Sequence, residues 1–170
     1  MQFEQIDVNE TIDLPKPSID TGMGLERTAA LMQGKTSNYD IDLLCDIIEH
    51  SADLTGVSPD GPQAPSHRVI ADHLRCSAFL LADGVMPSNE GRGYVLRKIM
   101  RRGIRQGTLI GYQQPFMHQL SAFVVEMMKE DYKKDEEARK VLNRHNESMR
   151  EWYRQLHSHC HSGYFQHGYK

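Results

Sequence analysis

Between Asn89 and Gly107 the chain places Arg92, Arg97, Lys98, Arg101, Arg102 and Arg105 against one acid, Glu90, a local charge of +5. On a helix, Arg97, Arg101 and Arg105 recur at i, i+4 and i+8 and share a face, with Val95, Leu96, Ile99 and Ile104 placed to pack behind them. Like charges at that spacing repel by roughly 0.2–0.5 kcal/mol per pair. An anionic partner is therefore expected, and a phosphate backbone suits the spacing. The competing reading is a solvated face neutralised by acids from elsewhere in the fold. Asn89 stands at the turn into this helix. Its amide carries both a donor and an acceptor, which suits contact with a groove edge while the arginines hold the backbone. Within Ser88-Asn89-Glu90-Gly91 the same residue also serves as a turn former.

A second constellation is Asp20-Thr21-Gly22-Met23-Gly24-Leu25-Glu26-Arg27. Two glycines ahead of a helix let a backbone approach a ligand closely, and Arg27 follows as a bidentate phosphate donor. Asp20 offers a carboxylate to an ammonium group. The third glycine of a dinucleotide fingerprint is missing, and no Gly-Lys-Ser/Thr of a P-loop follows, so the spacing alone favours a tight structural turn. His157, His159, Cys160 and His161 could ligate zinc, but they form one arm without a second, and no zinc is expected. His73 lies on an apolar helix face and is expected to be a hydrogen-bonded core histidine. The spacing supports no Ser/His/Asp or Cys/His triad.

The elements that must position these residues follow from periodicity. Phe3, Ile6, Val8 and Ile12 alternate loosely among polar residues, as a strand or hairpin would. A helix starts at Leu25, with Leu25, Ala29 and Met32 on one face and Gly34 as its stop. Asp40 is placed to cap a helix through Asp53 striped by Ile41, Leu44, Cys45, Ile47 and Ile48. After a Pro- and Gly-rich loop, Ser66 is placed to cap a helix buried through Val69, Ile70, His73, Leu74, Ser77, Ala78, Leu80 and Leu81, ending at Asp83-Gly84. The basic helix runs from about Gly93 to Gln106, and a last helix starts near Pro115. The expected fold is mainly α, in the α+β sense, with a short N-terminal β segment before a helical bundle.

The 170 residues suffice for one domain or two small ones, and the net charge of −3 excludes a protein that is basic overall. That near-neutral balance conceals an acidic N-terminal stretch, since residues 1–60 hold 12 acids and 3 bases. Three scattered cysteines form no disulfide or zinc framework and favour a reducing compartment. No apolar run is long enough to span a bilayer, and the N-terminus lacks a signal or transit pattern, so a soluble, cytoplasmic protein without a membrane partner is expected.

Four strings join the two constellations: Leu14 to Arg27, Ser37 to Asp42, Arg68-Val69-Ile70-Ala71-Asp72-His73, and Ala82 to Arg97. In that order and spacing they closely resemble the alanyl-tRNA synthetase family of the class II aminoacyl-tRNA synthetases, over roughly residues 1–130. The resemblance implies that Gly22 to Arg27 is motif 3, at the end of an antiparallel sheet. Asp20 and Gly22 would then receive alanine, while Gly22, Gly24 and Arg27 would receive ATP, which arrives with Mg2+ as a substrate. It implies further that Asn89 lies near the G·U wobble pair of the tRNA(Ala) acceptor stem, with Arg92, Arg97, Lys98, Arg101, Arg102 and Arg105 along the adjoining backbone.

On this basis residues 1–36 end the aminoacylation domain, 37–142 form the helical tRNA-recognition domain, and 143–170 are a divergent, disordered tail. Motifs 1 and 2, with the α-phosphate arginine, have no counterpart, nor do the editing and oligomerisation domains or the aspartate-bearing part of the wobble-pair reader. The chain is thus expected to be a fragment or truncated reading frame of an alanine–tRNA ligase. It would be inactive alone and dependent on the remainder of the synthetase or a complementing chain. The alternative is a stand-alone helical RNA-binding module that has lost the chemistry.

Overall fold

Phe3–Asp7 (β1) and Glu10–Asp13 (β2) pair antiparallel, with Phe3 opposite Asp13, Glu4 opposite Ile12, and a register shift between Gln5 and Asp7. The computed structural model describes residues 3–19 and 21–128. Every residue of both strands is exposed, including Phe3, Ile6 and Ile12. A two-stranded hairpin with bare faces is marginal in water, because it buries too little to offset chain ordering.

The described residues divide into two compact units, with the boundary between Ile41 and Asp42. In the first, α1 (Leu25–Met32) follows the hairpin. Gly34, at φ 65°, turns the chain back, and the Lys35 N–H donates to the Ala30 carbonyl at 2.8 Å. The expected apolar face of α1 is corrected here. Ala30 is its buried residue, whereas Leu25 and Met32 point to solvent. Asp40 lies in a 3-10 turn, Asn38–Asp40, whose cap is Ser37, with Oγ accepting the Tyr39 N–H at 3.2 Å.

The second unit contains α2 (Asp42–Thr55), α3 (Ala64–Ala82), α4 (Gly91–Leu109) and α5 (Met117–Met128). The central helix is α3, which packs against α2, α4 and α5, most extensively against α4. Its buried stripe, Ile70, Leu74, Ser77, Ala78 and Leu81, meets Leu96, Met100 and Ile104 from α4 and Leu120 and Val124 from α5 in one apolar core. The mainly α bundle matches the pattern of periodicities. His50 of α2 also stacks on Phe123 of α5, with ring centroids 4.2 Å apart.

Two details depart from the expected packing. Ser66 does not cap α3, which begins two residues earlier with Pro65 in its first turn. Its Oγ instead donates to Gln106 Oε1 on α4 at 2.9 Å. Gly107 lies inside α4 rather than after it, and a Cβ there would collide with the Phe116 ring. Gly103 likewise lets Met117 approach, since its Cβ would stand 2.8 Å from Met117 Cε. These two glycines weaken α4 by about 1 kcal/mol each in intrinsic propensity, and the close packing they admit offsets it.

Among the described residues the fully buried histidine is His67, at 0% exposure, whereas His73 is half-buried with Nδ1 2.9 Å from Asp72 Oδ2. The Nδ1 of His67 is 3.0 Å from Ser51 Oγ on α2, and its Nε2 has no partner among the described residues. Burial pushes the His67 pKa below its ordinary value of 6.5. The unfolded chain therefore binds the proton more readily, so this group's contribution to stability is full above about 6.5 and is lost as pH falls through the folded-state pKa. Thermal unfolding should show the midpoint dropping as pH falls below about 6.5. His67→Gln should flatten that dependence, and an unchanged slope in the variant would assign the acid sensitivity to other groups.

Candidate RNA and nucleotide surfaces

The first candidate surface is the glycine turn. Gly22 and Gly24 are exposed, and Gly24 adopts an ordinary extended conformation, φ −68° and ψ 125°, ahead of α1. Its carbonyl accepts the Thr28 N–H at 3.0 Å and the Thr28 hydroxyl at 3.1 Å. A Cβ at Gly22 would meet nothing within 4 Å, and one at Gly24 would touch only the Arg27 side chain, at 3.7 Å. Neither glycine answers a steric demand of its surroundings among the described residues. Arg27 is exposed on the first turn of α1 with its aliphatic stem beside Gly24. Asp20, the expected ammonium acceptor, lies outside the described residues.

The second surface is α4 with the turn before it. Gly93, Leu96, Met100, Gly103, Ile104 and Gly107 form the buried stripe. Arg92, Lys98, Arg101, Arg102 and Arg105 are exposed, and Arg97 is half-buried. No acid interrupts the helix. Val95, expected behind the arginines, is 54% exposed, and Met100 takes the buried place the pattern overlooked.

The cations are not equivalent. Lys98 Nζ sits 4.6 Å from the Tyr94 ring centroid, a cation–π contact. Arg102 is near enough to Asp72 of α3 to help hold its carboxyl below the usual range, where the His73 hydrogen bond at 2.9 Å is the largest cause and burial opposes it. Arg97 Nη1 donates to Asn89 Oδ1. Arg92, Arg101 and Arg105 are exposed and carry no hydrogen bond or ion pair among the described residues. Among the described residues the neutralised-face reading thus applies to one position of six, Arg102, and α4 itself contains no acid.

The Asn89 turn is held closely against α4. Ser88 Oγ donates to the Glu90 carbonyl at 2.7 Å and accepts the Glu90 N–H at 3.3 Å. Gly91 has φ 55°, a left-handed conformation that favours glycine. At Gly93 a Cβ would overlap the Met86 carbonyl oxygen and Ser88 Oγ, so the helix start and the turn touch backbone to backbone. Ser88 and Gly93 were not legible as site-building residues. The available signal was a serine two positions before Glu90, the spacing of a hydroxyl-closed turn.

Among the described residues, no group of three or more His, Cys, Asp or Glu is placed to hold a metal ion. His157 to His161 lie outside them. No described helix is long and apolar enough to cross a membrane.

Among the described residues, α4 thus presents a row of cations led by a hydrogen-bonded polar turn, and the glycine turn leaves Arg27 exposed. The family model described as tRNA synthetases class II (A) matches residues 1–157, and the chain belongs to that family. It is 64% identical over 132 residues to the alanine–tRNA ligase of Caulobacter vibrioides, covering 78% of this chain and 15% of that protein. The alanine–tRNA ligase of Paramagnetospirillum magneticum is 61% identical over the same length. That of Nitrobacter winogradskyi is 55% identical over 142 residues, 84% of this chain and 16% of the relative. The chain thus spans about 15% of the length of the curated relatives it matches. The family match includes Gly22 to Arg27 as well as the helices, which disfavours a module that kept only an RNA surface.

Proposed function

We propose that this chain is the part of an alanine–tRNA ligase that walls one side of the alanyl-adenylate site and grips the acceptor stem of tRNA(Ala). The observation that carries the reading is the row of cations on α4, a helix that itself contains no acid, beside the fixed Asn89 turn. Phosphates there would offset the mutual repulsion of the arginines, and the exposed Arg92, Arg101 and Arg105 are the cations best placed to meet them. Lys98 and Arg102 extend the same surface. Asn89 would lie at the base edges of the G·U pair, where an amide can discriminate between hydrogen-bonding groups.

At the glycine turn, Gly22 and Gly24 would let alanine and ATP lie against the backbone, and Arg27 would hold a phosphate. Asp20 would receive the alanine ammonium. In the whole ligase the alanine carboxylate attacks the α-phosphate of ATP and pyrophosphate leaves, then the terminal ribose hydroxyl of the tRNA takes the acyl group and AMP leaves. Residues of this chain would serve that reaction by orientation and charge complementarity. Mg2+ would enter with ATP as part of the substrate. The bare faces of β1 and β2 fit strands that belong in a wider antiparallel sheet.

Titration of an acceptor-stem hairpin against the chain tests the reading. Arg101→Ala should weaken binding about equally for stems of any sequence and make the salt dependence shallower by about one unit of log–log slope. Identical affinity and slope in the variant would remove the basis for an RNA-binding α4.

A further inference from the structure

We infer that Arg97 is not a phosphate ligand like its neighbours but the positioning residue of Asn89, fixing the amide through which the turn discriminates among acceptor stems. This rests on the proposed RNA-binding function and assigns a separate role within it. The turn backbone is held by the Ser88 hydroxyl on Glu90 and by the contact of Gly93 with Met86 and Ser88. What remains free at Asn89 is its side chain, which is exposed and hence able to rotate about both torsions.

Arg97, two turns along α4, removes that freedom by donating from Nη1 to Asn89 Oδ1. A guanidinium has only donors, so it accepts one orientation of the amide, Oδ1 inward and Nδ2 outward. The amide then meets a base pair already oriented, and less side-chain ordering is left to the binding step. Arg97 is half-buried where Arg92, Lys98 and Arg101 are exposed, as fits a residue turned toward its own chain.

The two roles leave different traces. A phosphate ligand adds affinity for every stem and contributes to the salt slope, whereas a positioning residue adds discrimination and leaves the slope unchanged. The experiment measures binding of the full chain to two acceptor-stem hairpins that differ only in a G·U or G·C pair, across a salt series. Wild type is compared with Arg97→Ala, Asn89→Ala, the double variant and Arg101→Ala.

Arg97→Ala should lower the G·U-over-G·C ratio roughly tenfold, to the value of Asn89→Ala, with the wild-type salt slope. The double variant should be no worse than either single one. Arg97→Gln, which removes the charge but keeps the length of a polar side chain, should also lower the ratio at constant slope, and it serves if Arg97→Ala does not fold. Equal weakening of both stems by either Arg97 variant with a shallower slope overturns the inference, as does an unchanged ratio in Asn89→Ala. If Arg101→Ala still weakens binding in those cases, the RNA-binding function stands and only the role of Arg97 falls. Absence of wild-type binding at low salt overturns both.

Discussion

Gly93→Ala should both destabilise the helical unit and blur its discrimination between acceptor stems. Alanine is the better helix former by about 1 kcal/mol, and at a solvent-facing site in α4 the change would stabilise. Gly93 is buried in the first turn, and its Cβ would fall onto the Met86 carbonyl oxygen and Ser88 Oγ. A carbonyl cannot rotate aside as a side chain can, so the helix start or the 86–88 backbone must shift. Overpacking of this kind costs about 1–3 kcal/mol. Either shift moves Asn89, which is covalently next to Ser88. Urea unfolding should show a lower midpoint with an unchanged slope, and hairpin titration should show a reduced G·U preference. A variant as stable and as selective as wild type would mean that the close approach at Gly93 does not hold the turn.

Leu74→Ala should produce the larger loss of stability. Leu74 is at 0% exposure in the middle of α3, the helix that touches α2, α4 and α5. Truncating a buried leucine removes transfer free energy and leaves a cavity that the neighbours close only in part, about 2–5 kcal/mol. Against a typical domain stability of about 5–15 kcal/mol, that is a large fraction. Because α3 is shared by three partners, the helices should unfold together at a lower denaturant concentration, and RNA affinity should fall with the folded fraction. Leu109→Ala is the control, since Leu109 is 59% exposed at the end of α4 and its loss should shift stability by no more than about 0.5 kcal/mol. Equal effects of the two substitutions would contradict the placement of the core along α3.

Both substitutions act at positions whose weight was unequally legible. Leu74 could be placed in the core from the 3.6-residue recurrence of Ile70, Leu74, Ser77 and Leu81, because a helix buries a stripe and the stripe is local. Gly93 could not, since nothing within a turn of it reveals that a carbonyl seven residues earlier will come to rest on its face. Ser66 shows the same asymmetry. Its type suggested a cap, but helix packing gave its hydroxyl Gln106, forty residues away. His67 is fully buried and His73 only half-buried because apolar neighbours in sequence say little about which side of α3 faces α2.

The sequence by itself determined the helices and the hairpin, the cationic run without acids, and the glycine turn before Arg27. These depend on periodicity, on the backbone freedom of glycine, and on charge counted along one segment. It also carried the family, through four strings in fixed order. The tertiary structure alone decided how the cations are used. Arg97 is drawn to Asn89, Arg102 lies near Asp72, and Arg92, Arg101 and Arg105 remain exposed. Six basic residues on one helix look alike as letters. Their roles diverge only when packing sets which polar groups each can reach, since hydrogen bonds and ion pairs act over a few ångströms in space and not along the chain.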